Sequence, residues 1–223
     1  MALIYKDLTR RLTILNNCNI NVLFDIGAAD GRYIKTMRQF GYSEKVISFE
    51  PLNSSFEVLK KAASKDTNWL YNNYALGKEN TRSVINVAGN SDSSSILNML
   101  PLHLKSAPHS KYIAQQEIEI KKFDSIINSF CNSDDRIMLK IDTQGYEKNV
   151  LDGAYESLDR VSIIQIELSI VPLYENGLLL FEMVNFLTNK GFKLYSLENG
   201  FFNPNTGQLL QVDGIFVKNA LLN

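Results

Sequence analysis

The sequence predicts an α/β fold in which helices cover both faces of a single doubly wound, mostly parallel sheet of seven strands. Three observations lead to this prediction. Strand patterns alternate with helix patterns from residue 21 to residue 76, the alternation resumes at residue 137, and a hairpin pattern follows residue 192. Such alternation is typical of parallel sheets. The length of 223 residues predicts one domain, residues 1–223, in which residues 1–20 form an N-terminal helical extension.

The first third of the chain predicts three helices and three strands. Gly41 is expected to end a helix and Pro51 to close a strand, while Ser54 and Glu57 form an S-x-x-E capping box at a helix start. In order, the predicted elements are a helix over 2–17, a strand over 21–27, a helix over 31–40, a strand over 46–50, a helix over 54–64 and a strand over 69–76.

The segment between residues 77 and 122 has the weakest periodicity. It contains a polar loop over 89–95 and an alternating stretch over 117–121 that predicts an edge strand. After this segment, Asp124 is expected to cap a short helix that ends near Phe130.

Clear patterns return in the last part of the chain. In order, they predict a strand over 137–142, a helix over 146–158, a strand over 161–168, a helix over 178–190, and strands over 192–197 and 210–217. The last two strands are expected to pair as a hairpin across the turn residues 203–207.

The composition is that of a compact globular protein and limits its partners. Lys and Arg number 23 against 24 Asp and Glu, so the net charge of −1 predicts no nucleic-acid or membrane partner. Two unpaired cysteines, Cys18 and Cys131, favour a reducing compartment. Charged residues interrupt the N-terminus before an apolar signal region can form, and no apolar run is long enough to span a bilayer. We therefore expect a cytoplasmic location, while the oligomeric state stays open.

Ligands of such sheets bind beyond the carboxyl ends of the strands, so the predicted strand ends are the candidate site. Gly27 and Gly31 follow the first strand, where they allow a tight turn into a helix N-terminus. A dinucleotide fingerprint starting at Gly27 would need two further glycines, but those positions hold Ala29 and Arg32. Glu50 ends the second strand, where a carboxylate can accept both hydroxyl hydrogens of a ribose. Together these residues favour a nucleoside-binding site.

Acidic residues also mark the later strand ends. Asp142 ends a buried strand and Glu147 follows it, around Gly145 at the mouth of the same cleft. Glu167 lies within an apolar strand, where a charge costs several kcal/mol unless it is paired or lies at the open end. On this evidence alone a helix cap is the better explanation of Asp142, whereas Glu167 favours a functional or salt-bridged role.

An ordered series of motifs resembles the FkbM-type methyltransferases, which use S-adenosylmethionine. The resemblance covers roughly residues 20–170. Its motifs are V-L-F-D-I-G-A-A-D-G, V-I-S-F-E-P, Y-A-L-G, K-K-F-D-S-I-I, I-M-L-K-I-D-T-Q-G-Y-E, V-L-D-G-A and I-I-Q-I-E-L. Ala29 stands where many relatives in the wider methyltransferase class have a glycine, and Gln144 stands where many members have Glu.

The resemblance implies a class I methyltransferase fold and methyl transfer, usually to a hydroxyl oxygen. It places Glu50 at the ribose and Asp142 beside the sulfonium and the acceptor. Carried over position by position, the cofactor-binding residues are Asp25, Gly27, Ala28, Ala29, Gly31, Tyr33, Glu50, Pro51, Leu52, Asn73, Ala75 and Asp142. The implied function is O-methylation of a small-molecule or saccharide acceptor: a sugar, a polysaccharide precursor or a secondary metabolite.

A hydroxyl acceptor must lose its proton, so a base within hydrogen-bond reach is expected. The candidates are Asp142, Glu147, Glu167, His103 and His109. Asp142 is favoured for its position, as base or as the group that orients the acceptor. No dense acidic cluster or zinc-type spacing is present, so we expect no metal. A nicotinamide-dependent oxidoreductase and a catalytically silent cofactor-binding scaffold remain as alternatives.

Overall fold

The computed structural model describes residues 2–222, with side chains from residue 6 onward. Within this range the helices are α1 (Ala2–Asn17), α2 (Arg32–Gln39), α3 (Asn53–Ala63), α4 (Pro101–Ser106), α5 (Phe123–Ile126), α6 (Glu147–Gly153) and α7 (Leu180–Asn189). The strands are β1 (Val22–Ile26), β2 (Lys45–Phe49), β3 (Trp69–Asn72), β4 (Ala75–Leu76), β5 (Thr81–Ala88), β6 (Tyr112–Lys121), β7 (Ile137–Ile141), β8 (Val161–Ser169), β9 (Phe192–Asn199) and β10 (Gln211–Lys218). Residues 1 and 223 of the predicted domain lie outside the described residues, and the single-domain assignment stays a prediction.

The central sheet has seven strands in the order β3-β2-β1-β7-β8-β10-β9. Neighbouring strands from β3 through β8 are parallel, and β10 runs antiparallel to both β8 and β9. This topology confirms the predicted fold class, including the closing hairpin. The order along the sheet reverses between β1 and β7, so the carboxyl ends of these two strands frame a crevice where ligands bind in such folds.

A second sheet, β4-β6-β5, lies in the segment of weak periodicity and was not predicted. The predicted strand over 69–76 is wrong in its extent, because β3 ends at Asn72 and β4 belongs to the second sheet. Between them, the Asn73 amide donates to the carbonyls of Glu50 and Pro51 and so turns the chain. The predicted edge strand over 117–121 is the end of the longer β6, which pairs with β5. Both strands are largely exposed, and β6 shows the apolar alternation of a half-buried strand only over 117–121.

Several predicted helix ends are also wrong. Helix α3 begins at Asn53 after Leu52, with no side-chain cap, so the Ser54–Glu57 capping box does not form. Asp124 does not cap α5 but lies in its first turn, where its carboxylate accepts the backbone N–H groups of Glu156 and Ser157. Local sequence rules assign the Asp124 carboxylate to a helix cap, but in the folded chain it makes a tertiary contact instead.

Helix α6 is shorter than the predicted span over 146–158 and ends at Gly153. A Cβ atom at Gly153 would lie 1.9 Å from the carbonyl oxygen of Gly77, so the helix end packs directly on another backbone segment. Helix α7 likewise begins at Leu180, later than the predicted start at residue 178. Sequence periodicity does not register the close contact at Gly153, which sets the end of α6.

Apolar side chains fill both faces of the central sheet. Phe24 and Leu139 face α5, α6 and α7, whereas Leu23 and Met138 face α1, α2 and α3. Because side chains alternate along a strand, Asp25 and Lys140 lie on the same face as Leu23 and Met138, one step closer to the carboxyl ends. Among the described residues, no helix has the length and apolar character that crossing a membrane requires.

Candidate active site

A cavity of about 420 Å³ opens at the carboxyl ends of β1, β2 and β7. Most predicted cofactor-binding residues line it: Gly27, Ala28, Ala29, Tyr33, Glu50, Pro51, Leu52, Ala75 and Asp142. The other three, Asp25, Gly31 and Asn73, do not line the cavity and instead support residues that do. A pocket of this size is typical of small-molecule and cofactor sites.

The loop after β1 brings its backbone close to the end of β7. Gly27 has a φ of 80°, and a Cβ atom there would lie 1.9 Å from the backbone oxygen of Asp142, so glycine is required. Ala29 also has a positive φ, of 48°, which explains why relatives often have glycine at this position. Gly31 precedes α2 in the left-handed region and packs against Leu59 and Trp69. The turn therefore presents main chain to the cavity.

Glu50 is buried at the end of β2, and the backbone holds both of its carboxylate oxygens. The N–H groups of Ala29 and Leu52 each donate to one of these oxygens at 2.8 Å. Burial raises the pKa of Glu50 to about 7, although the two hydrogen bonds oppose the shift. Each oxygen has a second lone pair, so the carboxylate can still accept two hydroxyl hydrogens, as ribose binding requires.

Lys140 is the main residue of the site that sequence reasoning missed. Its buried Nζ lies 3.1 Å from Asp25 Oδ1, 3.5 Å from Asp142 Oδ2 and 3.0 Å from the carbonyl oxygen of Gly27. Burial alone would lower the pKa of this ammonium, but the charges of Asp25 and Asp142 outweigh it and raise the pKa. The sequence signal that could have identified Lys140 is a charged residue within the apolar strand pattern I-M-L-K-I-D.

Gln144 connects the acidic groups at the ends of β7 and β8. Its Nε2 donates to Asp142 Oδ1 at 2.9 Å and to Glu167 Oε2 at 3.1 Å, while its Oε1 accepts the Tyr174 hydroxyl at 2.8 Å. Gln211 donates to the same Glu167 oxygen at 2.7 Å. Burial, together with the charge of Asp142, raises the pKa of Glu167 well above its ordinary value. Asp142 is the accessible carboxylate of this group, with 40% of its side chain exposed.

The remaining base candidates lie away from the cavity wall. The carboxylate of Glu147 accepts the backbone N–H groups of Thr143 and Gly145 at 3.0 and 3.1 Å, so it holds the loop after β7. His103 is buried between the rings of Tyr174 and Phe201, and burial lowers its pKa to about 4.

His109 is exposed in a short 3₁₀ turn over 108–110. Neither it nor His103 or Glu147 lines the cavity. Among the five predicted base candidates, Asp142 is the one that lines the cavity.

The end of the cavity beyond Asp142 is built from residues of distant segments. The Tyr33 hydroxyl donates to Gln165 Oε1 at 2.6 Å, and the Tyr33 ring lies between the cations of Arg11, at 4.8 Å, and Lys140, at 5.3 Å. Asp213 of β10, opposite Glu167 in the register, completes this wall. Burial and the charge of Asp142 raise the pKa of Asp213 to about 7. Sequence reasoning missed Arg11, Gln165 and Asp213; of these, only Gln165 lies within one of the motifs, I-I-Q-I-E-L.

The polar loop over 89–95 covers one side of the cavity. Its Ser95 hydroxyl donates to the backbone oxygen of Gln144 at 2.7 Å, and Asp92 forms an ion pair with Arg32 at 3.0 Å. Residues of this loop therefore form part of the cavity wall. In the described part of the chain, no group of three or more His, Cys, Asp or Glu side chains is placed to hold a metal ion.

The residues present fit S-adenosylmethionine. Glu50 retains the acceptor capacity that a ribose needs. Beyond it, apolar side chains suited to an adenine ring line the wall: Leu52, Ala75, Leu76, Ile85 and Ile96. Charged groups line the opposite end, where the amino-acid part of the cofactor carries its own charges.

Comparison with known proteins gives the same assignment. The family model of the methyltransferase FkbM domain matches residues 25–194, about three quarters of the chain. None of the curated proteins matches the sequence significantly.

Solved structures resemble the fold at low sequence identity. A Listeria monocytogenes protein classed as an S-adenosylmethionine-dependent methyltransferase has a TM-score of 0.51 and 10% identity, with 97% of this chain and 98% of that chain covered. Aeropyrum pernix fibrillarin with bound S-adenosylmethionine has a TM-score of 0.49 and 8% identity, with coverage of 89% and 66%.

Proposed function

Because the chain belongs to the methyltransferase FkbM domain family and is a methyltransferase that uses S-adenosylmethionine, we propose that it methylates a hydroxyl oxygen. The acceptor we propose is a sugar, a polysaccharide precursor or a hydroxylated secondary metabolite. Family membership overturns both alternatives left open by the sequence, the nicotinamide-dependent oxidoreductase and the catalytically silent scaffold.

The observation that carries this proposal is the accessible carboxylate of Asp142 in the cavity wall. A hydroxyl must give up its proton as the methyl group arrives, whereas a neutral amine can lose its proton afterwards. A fixed carboxylate at the transfer site therefore favours an oxygen acceptor. Hydrogen bonding from Gln144 and the nearby ammonium of Lys140 fix the direction of this carboxylate.

When bound, S-adenosylmethionine supplies a methyl group on a good sulfonium leaving group. The residues of this chain then contribute mainly position and exclusion of water. Glu50 holds the ribose, the loop over 89–95 covers the site, and Asp142 orients the acceptor hydroxyl and takes its proton. Lys140 keeps Asp142 in place from behind, because its ammonium is fixed between Asp25 and the Gly27 carbonyl.

The polar wall around Asp142 supports a polyhydroxylated acceptor. Thr143 and Gln144 line the cavity beside Asp142, and each carries a side-chain oxygen that can accept a hydrogen bond. The net charge of −1 supports an acceptor other than nucleic acid. As part of the proposal we place the reaction in the cytoplasm, since both cysteines are free and Cys131 is buried.

Radiolabelled methyl transfer tests this function. The protein is incubated with methyl-labelled S-adenosylmethionine and separate acceptor pools: mono- and oligosaccharides, phenols, primary amines and RNA. We expect label in a saccharide or hydroxylated product, with the methyl group on oxygen by fragmentation mass spectrometry. Transfer only to amines or only to RNA would contradict the proposal while leaving the family's chemistry intact.

A further inference from the structure

We propose that Arg11 and Asp213 together bind the amino-acid end of the cofactor, Arg11 taking its carboxylate and Asp213 its ammonium group. The inference goes beyond the methyl acceptor and does not depend on it. Glu50 and the apolar wall beside it fix the adenosine at one end of the cavity. The chain beyond the sulfur must then pass Gly27 and Asp142 toward the opposite end, whose wall contains Arg11 and Asp213.

Arg11 is a fixed cation with an unused donor. Helix α1 carries it over the sheet, where its guanidinium forms an ion pair with the carboxylate of Glu198 and lies over the Tyr33 ring. Its Nε is buried and has no hydrogen-bond partner. A buried donor without a partner is rare in proteins, and a ligand carboxylate would satisfy it with a charge-assisted hydrogen bond.

Asp213 is the complementary group with an unused acceptor. Its carboxylate lines the cavity and has no hydrogen bond or ion pair with any residue between 6 and 222. Its backbone position opposite Glu167 and Glu198 sets it at the cavity end rather than beside the adenosine. A primary ammonium group offers three donors and a positive charge to this carboxylate.

Lys140, a second buried cation of the wall, is already engaged by groups of the protein. The ammonium of Lys140 has three hydrogens and three neighbours, namely Asp25, Asp142 and the Gly27 carbonyl. Two carboxylates already balance its charge, whereas the guanidinium of Arg11 has one. Arg11 offers a donor without a partner and Asp213 a carboxylate without a hydrogen bond, and their opposite charges match the zwitterion of an amino acid.

Isothermal titration calorimetry with two ligands tests the assignment. S-adenosylhomocysteine carries the amino-acid end, and 5′-methylthioadenosine lacks it. We expect Asp213→Asn and Arg11→Met each to weaken S-adenosylhomocysteine binding at least tenfold and to change methylthioadenosine binding less than twofold. Matched controls are Asp159→Asn, whose side chain is 97% exposed, and Arg10→Met on the same helix. Both controls should bind the two ligands as the unaltered protein does.

Equal weakening of both ligands, or no weakening of either, would overturn the proposal. Removal of Arg11 leaves the carboxylate of Glu198 buried without its partner, so Arg11→Met could fail to fold. In that case the test of the proposal uses Asp213→Asn and a third ligand, an analogue of S-adenosylhomocysteine that lacks the amino group. Loss of the amino group should weaken binding to the unaltered protein and have no further effect in Asp213→Asn. No binding of S-adenosylhomocysteine to the unaltered protein would also overturn it.

Discussion

The two ends of the cavity are built in different ways. At the adenosine end, backbone N–H groups of two adjacent loops hold the carboxylate of Glu50, and the wall beside it is apolar. At the reacting end, which is the part of the cavity around Asp142, side chains are held by other side chains. Lys140 and Gln144 both contact the carboxylate of Asp142. The first end depends on where the strands stop. The second depends on residues from several distant segments that meet only in the folded chain.

This difference predicts that cofactor binding and methyl transfer depend on different ends of the cavity. Groups fixed by backbone hydrogen bonds tolerate change around them, whereas a side-chain network changes when any member is replaced. We therefore expect substitutions at the reacting end to alter turnover and substitutions at the adenosine end to alter cofactor affinity. Each prediction below can break this separation.

Replacement of Asp142 by Asn is expected to have the largest effect. The two side chains have nearly the same shape, but the amide cannot take a proton. Turnover should fall about 10²- to 10⁴-fold, the usual range for loss of a general base, while affinity for S-adenosylhomocysteine stays within about twofold. Steady-state kinetics on an acceptor found by the labelling experiment, with calorimetry beside it, measures both. The exposed Asp134→Asn is the control.

Normal turnover of Asp142→Asn would remove Asp142 from the chemistry. A collapse of cofactor affinity together with turnover would instead place Asp142 on the donor side, and the two ends of the cavity would no longer be separable.

Replacement of Glu50 by Gln should affect binding first. A hydrogen bond to a charged carboxylate contributes about 1.5–3 kcal/mol, so affinity for S-adenosylhomocysteine should fall roughly ten- to a hundredfold. Turnover at saturating cofactor should change little. Calorimetry of the folded variant checks this, with the exposed Glu57→Gln as control. Unchanged affinity would exclude Glu50 from the ribose site.

The smallest effect is expected from Glu147→Gln and concerns stability against pH. Burial raises the pKa of Glu147 from 4.5 to about 7, so the folded protein holds a proton that the unfolded chain releases. This contribution to stability is complete below pH 4.5, is lost as the pH rises to 7, and is constant above. An amide has no such proton to lose. The variant should therefore gain roughly 2–3 kcal/mol relative to the unaltered protein between pH 5 and pH 8.

Thermal unfolding at both pH values measures this gain. Glu57→Gln should follow the unaltered protein at each pH, because its carboxylate is exposed. If Glu147→Gln and the unaltered protein also change in parallel, the buried carboxylate does not hold its proton in the folded state.

Some of the site follows from the sequence because its signals are local. Gly27 and Glu50 lie at the ends of buried strands, and strand ends of a parallel sheet meet at one edge, so their proximity follows from the strand pattern alone. The extra sheet of β4, β5 and β6 had no comparable signal, because its strands are short or largely exposed.

By itself, the sequence determined the fold class, the family and the adenosine end of the cavity, because apolar periodicity and strand-end motifs are encoded in contiguous residues. Only the tertiary structure decided the partners of Asp142, the removal of Glu147 and His103 from the cavity wall, and the placement of Arg11 and Asp213 in one wall of the cavity. The physical reason is that hydrogen bonds and charges act over a few ångströms in space. Arg11 and Asp213 are separated by most of the chain and become neighbours only through the packing of α1 on the sheet.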